Sequence, residues 1–139
     1  MRKKVIITRN PVFEWENQAK QYPCAGTGII YIKGKLRNNI WVDCLLYYGD
    51  DNRLQGILNH YPVDMSPYQK LGSVNIQVRS DKRRTGIATV LLNEGIKRFK
   101  INLKNQEYTL SGERFIRKFM RTSSTYRLSL QKFRFSTSY

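Results

Sequence analysis

The sequence predicts an α+β fold, a mixed and mostly antiparallel central sheet flanked by helices, and three observations carry that expectation. Runs rich in β-branched and aromatic residues at Ile29–Lys33, Ile40–Tyr48 and Leu54–Tyr61 are separated by polar segments, as antiparallel strands would be. The stretch Val74–Phe99 changes its period partway through. Val74, Ile76 and Val78 alternate with Asn75, Gln77 and Arg79, the pattern of a strand with one buried side. From Ile87 onward, Ala88, Leu91, Leu92, Gly95, Ile96 and Phe99 recur as one stripe of a helix. Third, Phe115, Ile116, Phe119 and Met120 fall opposite Arg114, Arg117, Lys118 and Arg121, a basic amphipathic helix docked by its apolar side. A length of 139 residues suits a single domain, 1–139, with room for one core.

In chain order, Lys4–Thr8 reads as a short first strand ended by Asn10-Pro11, and Phe13–Tyr22 as a helix stopped by Pro23. Gly26-Thr27-Gly28 is a loop, and the polar segment Gly34–Asn39 separates an antiparallel pair. Gly49-Asp50-Asp51-Asn52 is a turn by composition, Leu54–Tyr61 continues as a strand, and Pro62 closes it. The polar loop Val63–Gly72 then delivers the chain to Val74. Beyond the long helix, Gln106–Leu110 reads as a short strand, with Thr109 or Ser111 capping the next helix and Glu113 favourable to its dipole. The terminal stretch, about 124–139, reads as a basic strand or hairpin, because Tyr126, Leu128 and Leu130 alternate. Phe133 and Phe135 have the opposite parity, which a bulge near Gln131-Lys132 would reconcile.

Composition narrows the function. Lys and Arg number 25 against 10 Asp and Glu, a net charge of +15, and residues 97–139 alone carry net +9. Such a surface attracts polyanions, whether nucleic acid, an acidic protein or a phosphorylated cofactor. Aromatic residues at 12% argue against a disordered chain despite the charge. The apolar run Val5-Ile6-Ile7 after Arg2-Lys3-Lys4 is too short for a signal peptide and no stretch is long enough to span a bilayer, so a cytoplasmic protein without membrane contact is expected. Cys24 and Cys44 lack CxxC spacing and read as buried reduced thiols. With His60 the single histidine, no metal centre is expected.

Between the strand and helix of Val74–Phe99 lies Asp81-Lys82-Arg83-Arg84-Thr85-Gly86. A helix begun this way presents unpartnered backbone N–H groups and its positive dipole end to the turn, an anion site. Gly86 lets a phosphate approach the backbone, and Arg83 and Arg84 add attraction. A solvated basic loop capping a core helix fits the local sequence equally well.

The order of elements and the motif Val78-Arg79-Ser80-Asp81-Lys82-Arg83-Arg84-Thr85-Gly86-Ile87-Ala88-Thr89-Val90-Leu91-Leu92 resemble the GNAT superfamily of acyl-CoA-dependent N-acetyltransferases. The family signature, Gln or Arg, two residues, Gly, one residue, Gly or Ala, is matched by Arg83, Gly86 and Ala88. The hairpin Leu45–Pro62 and the segment Gln106–Phe115 look like the corresponding parts of small bacterial and phage-type members, so the likeness covers about residues 28–121. The resemblance implies a splayed cofactor strand leading into the main helix and acetyl-CoA as co-substrate. It places the pantetheine arm along Ile76, Gln77 and Val78, and the pyrophosphate on main-chain N–H groups of Arg83, Arg84, Thr85, Gly86, Ile87, Ala88 and Thr89. It also implies direct attack of an acceptor amine, of a protein or a small molecule, on the thioester. An amine of pKa near ~10 must be neutral to attack, and the departing thiolate, pKa about 8.5, benefits from a proton donor.

The chain departs from the family at two places. Ser80 stands where a proline is common, and Ile116 occupies the position of the usual general-acid tyrosine. Tyr108, Tyr126 or a water could serve instead. Glu94 reads as a solvated surface carboxylate turned outward. Asp43, between Val42 and Cys44, reads as an exposed strand residue or one facing the acceptor groove. His60 ends a strand beside that groove, as a structural hydrogen-bonder or an acceptor-site group. His60 and Tyr108 are the catalytic candidates. The alternative is a GNAT-fold binding or accessory protein with little catalysis, in a phage-derived role, contacting nucleic acid or an acidic partner through the basic C-terminal third. Either a monomer or a homodimer exchanging terminal strands fits the sequence.

Overall fold

A computed structural model describes residues 3–7, 28–35, 40–49, 53–64, 67 and 70–137. The β-branched and aromatic runs form β1 (Lys3–Ile7), β2 (Gly28–Lys35), β3 (Trp41–Tyr48) and β4 (Leu54–His60), and the alternating stretch forms β5 (Val74–Val78). They make one sheet in the order β1-β2-β3-β4-β5. Strands β2 to β5 are antiparallel neighbours, whereas β1 runs parallel to β2. Three helices follow: α1 (Ile87–Arg98), α2 (Leu110–Thr122) and α3 (Ser124–Thr137). The described architecture is α+β, a four-strand antiparallel sheet packed against three helices, with β1 added at the far edge.

The sheet buries both faces. On one, Leu45, Leu58 and Val74 pack with Ile87, Leu91 and Leu92 of α1 and with Ile116, Phe119 and Tyr126 from the later helices. On the other, Ile32, Cys44, Leu46, Tyr48 and Ile57 form a second cluster. Each fully buried aliphatic side chain contributes about 1.5–3 kcal/mol relative to exposure. Two glycines let α1 come close to β4. A Cβ on Gly56 would sit 2.7 Å from Ile87 Cγ2, and one on Gly95 would sit 3.0 Å from Ile101 Cδ1 and 3.3 Å from Leu58 Cδ1. The helical stripe read from the sequence is the buried face of α1: Ile87, Leu91, Leu92 and Gly95 are its buried residues.

Helix α2 begins at Thr109, whose hydroxyl accepts the Gly112 N–H at 3.2 Å, with Glu113 in the first turn. Arg114, Arg117, Lys118 and Arg121 are exposed and Ile116 and Phe119 buried, as the amphipathic pattern requires.

Two expected elements differ. The terminal stretch is a helix rather than a strand or hairpin. Ser123 explains the difference: its hydroxyl accepts the Tyr126 N–H at 3.0 Å, starting a helix, while donating to Asn93 Oδ1 on α1 at 2.8 Å. Tyr126, Leu130 and Phe133 then recur at helical spacing, so the change of parity needs no bulge. The basis for strand exchange between subunits goes with the strand. Gln106–Leu110 does not form a strand: Gln106 makes only an isolated backbone bridge, its side chain also bonds the Val74 main chain, and Leu110 already opens α2. The expected helix Phe13–Tyr22 and Cys24 lie outside the described residues.

Candidate functional site

Strand β5 is an edge of the sheet among the described residues, and its register fixes which backbone groups face outward. The Arg79 N–H donates to the Gln55 carbonyl at 2.8 Å and the Tyr61 N–H to the Ser73 carbonyl at 3.0 Å, so odd-numbered residues of this stretch bond to β4. The N–H and C=O groups of Val74, Ile76 and Val78 therefore point away from the sheet. At Val74 both are taken by Gln106, whose Oε1 accepts the N–H at 2.7 Å and whose Nε2 donates to the carbonyl at 2.8 Å. The segment that carries Gln106 continues beside the strand. Between them opens a cleft of about 230 Å³, lined by Val74–Ile76, Gln106–Thr109, Gly112, Phe115 and Ile116.

At its other end β5 leads through a 3-10 turn (Ser80–Lys82) to the start of α1. Arg79 and Asp81 brace that turn, with Arg79 Nε donating to Asp81 Oδ1 at 2.6 Å. The same bond holds the Asp81 carboxyl below the usual carboxylate range. Thr85 Oγ1 donates to the Lys82 carbonyl at 2.5 Å. Arg84 and Gly86 both have left-handed backbones, φ 63° and 91°. Gly86 is the N-cap of α1, and the first helical bond runs from the Val90 N–H to its carbonyl at 3.0 Å. The N–H groups of Ile87, Ala88 and Thr89 precede that ladder. A Cβ on Gly86 would meet nothing within 4 Å, so the space over the turn is open. Arg83, Arg84 and Thr85 are exposed around it.

The two catalytic candidates are separated. Tyr108 lines the cleft, but its hydroxyl donates to the Leu103 carbonyl at 2.5 Å, and burial pushes its ionisation well above the ordinary tyrosine range. His60 is buried and does not line the cleft. Its Nδ1 lies 2.9 Å from Asp43 Oδ2, its ring stacks on Phe99 with centroids 4.9 Å apart, and its Nε2 has no hydrogen-bond partner among the described residues. Asp43 is buried as well, contrary to the exposed position its neighbours suggested. The His60–Asp43–Val74 row places it on the α1 face of the sheet. Burial alone would raise its carboxyl, but hydrogen bonds from His60 and Tyr31 outweigh burial and hold it below the usual range. Glu94 is held by Arg98 at 2.8 Å one turn along α1. Ile116, buried, forms apolar wall where the resemblance would have a tyrosine.

Pattern reading missed Gln106, which lies on no apolar stripe; only the passage of residues 101–109 beside β5 brings its side chain onto the Val74 main chain and places the exposed Glu107 at the cleft. Cys44 is a buried free thiol beside Asn59 Oδ1 at 2.8 Å, pushed upward in pKa by burial. No group of metal-ligating side chains occurs among the described residues, and no helix among them is long and apolar enough to cross a membrane. No family model, curated protein or solved structure matches the chain.

Proposed function

We propose that the chain is a GNAT-like N-acetyltransferase that takes acetyl-CoA as co-substrate and an amine as acceptor. The carrying observation is that an edge strand with outward backbone groups at Ile76 and Val78 leads, through a short 3-10 turn, to an open, left-handed glycine at a helix N-terminus. An extended amide-bearing arm and a diphosphate are what such a pair accommodates: strand-like hydrogen bonds along one, N–H donors and dipole at the other. On this reading β5 is the cofactor strand, and residues 101–109 are the neighbour splayed away from it.

The residues fit the group. Acetyl-CoA, when bound, supplies an acetyl thioester activated towards amines. The N–H groups of Ile87, Ala88 and Thr89 hold negative charge, with Gly86 leaving room and Arg83 and Arg84 adding attraction. Ile76 and Val78 orient the arm through their main chain. Val74 and Gln106 close the strand pairing at the far end of the edge. Phe115 and Ile116 form an apolar wall that limits water. Tyr108 acts as a proton donor only when its bond to Leu103 opens, and His60 supports the sheet from beneath Phe99. Calorimetric titration with acetyl-CoA tests the proposal, and no binding at millimolar cofactor overturns it.

A second reading, polyanion binding with little catalysis, is favoured by the exposed face of α2. Arg117 is paired with Glu113 at 2.7 Å, whereas Arg114, Lys118 and Arg121 are exposed without an acidic partner among the described residues. Each phosphate contact such a face makes contributes about 0.9 to the slope of log affinity against log salt. Binding to duplex DNA that ignores added salt eliminates this reading.

A further inference from the structure

The cleft beside β5 contains one feature that the proposed cofactor does not use. Six carboxylates fall among the described residues, and five are engaged. Asp43 is held by His60 and Tyr31, Asp81 by Arg79, Glu94 by Arg98 and Glu113 by Arg117, while Asp64 accepts the Leu71 N–H at 2.8 Å. Glu107 alone among them has no hydrogen-bond or ion-pair partner among the described residues; it is exposed to solvent and belongs to the lining of the cleft, at its rim. In a chain with 25 Lys and Arg, an unpaired carboxylate at a concave site is a local reversal of the surrounding field. The cleft offers apolar wall beside it at Val74, Ile76, Phe115 and Ile116.

We infer that Glu107 is the acceptor-recognition group of this cleft and binds the ammonium form of a primary amine whose neighbouring substituent is apolar, the ammonium losing its proton to solvent at the exposed rim before the neutral amine attacks. The acceptor role rests on the transferase reading above; the binding does not. The protein's net positive charge acts on a small cation over roughly a Debye length, about 8 Å at physiological salt, and is screened beyond it. At contact, the carboxylate gives a charge-assisted bond that the screened field does not cancel. The apolar wall then selects what the amine is attached to. Glu107 is a specificity-determining residue in this scheme, holding the amine at the mouth of the cleft.

The probe is phenylalanine amide, followed by NMR titration of the full chain with and without coenzyme A. The expected result is saturable binding that N-acetylphenylalanine amide, lacking the amine, does not reproduce, and about tenfold weaker affinity in Glu107→Gln. Glu113→Gln makes the same change in net charge outside the cleft lining and is expected to leave the affinity unaltered. Equal affinity of Glu107→Gln and wild type overturns the inference, as does equal weakening by Glu113→Gln, binding of the acetylated control, or no binding in either titration. Amine binding by a protein that does not bind acetyl-CoA supports the site while sinking the transferase reading; acetyl-CoA binding without amine binding does the reverse.

Discussion

Replacing Gly86 separates what the turn does for folding from what it does for an anion. Its φ of 91° lies in the region that L side chains rarely adopt, and the space beyond it is empty, so a side chain there meets strain but no clash. The strain costs about 1–2 kcal/mol. For 139 residues that lowers Tm by roughly 3–7 °C. Gly86→Ala and Gly86→Glu share this cost and should melt together. Only the glutamate adds a negative charge to the turn, about 5 Å from a bound phosphate. At an effective dielectric between about 20 and that of water, this repulsion is roughly 1–3 kcal/mol, or about 5- to 150-fold in Kd. Calorimetric titration of both variants with acetyl-CoA, alongside thermal unfolding, measures the two effects separately. If Gly86→Glu binds acetyl-CoA as well as Gly86→Ala does, the turn is not the phosphate site and the cofactor assignment fails.

Gln106→Ala removes two hydrogen bonds to the Val74 backbone, and a loss of about 1–3 kcal/mol in urea unfolding is expected. Arg84→Gly relieves a left-handed non-glycine residue at the expense of a more flexible unfolded chain. It should change stability by less than about 1 kcal/mol while weakening acetyl-CoA binding. Asp43 has its folded pKa below the unfolded value near ~3.9, so its stabilising contribution is complete above that pH and is lost as pH falls through the folded value. Asp43→Asn should destabilise by about 2–4 kcal/mol at pH 7 and show a smaller loss on acidification than wild type, read from urea midpoints at pH 3 to 7. Neutralising Arg114, Lys118 and Arg121 together should reduce the salt slope of any nucleic-acid binding by about 3, and an unchanged slope removes α2 from that interface.

The local periodicities of this chain determined most of its elements. The strand-to-helix change at Val74–Phe99, the buried stripe of α1 and the polarity of α2 depend on spacing within one element, and spacing is visible in sequence. The turn at Gly86 was legible for the same reason, since a glycine at the junction of two periods marks a backbone that other residues avoid. Where a contact between distant segments decides, the sequence was silent or misleading. Ser123 makes the terminal stretch helical by bonding at once to Tyr126 and to Asn93, thirty residues away. Asp43 looked exposed between its neighbours, yet His60 and Tyr31, brought beside it by strand register, let the sheet bury its charge. Glu107 comes to line the cleft only because residues 101–109 pass the outward edge of β5. Alternation along a chain sets which side of a strand a residue takes; only packing of that strand against its neighbours decides whether that side is core, cleft or solvent.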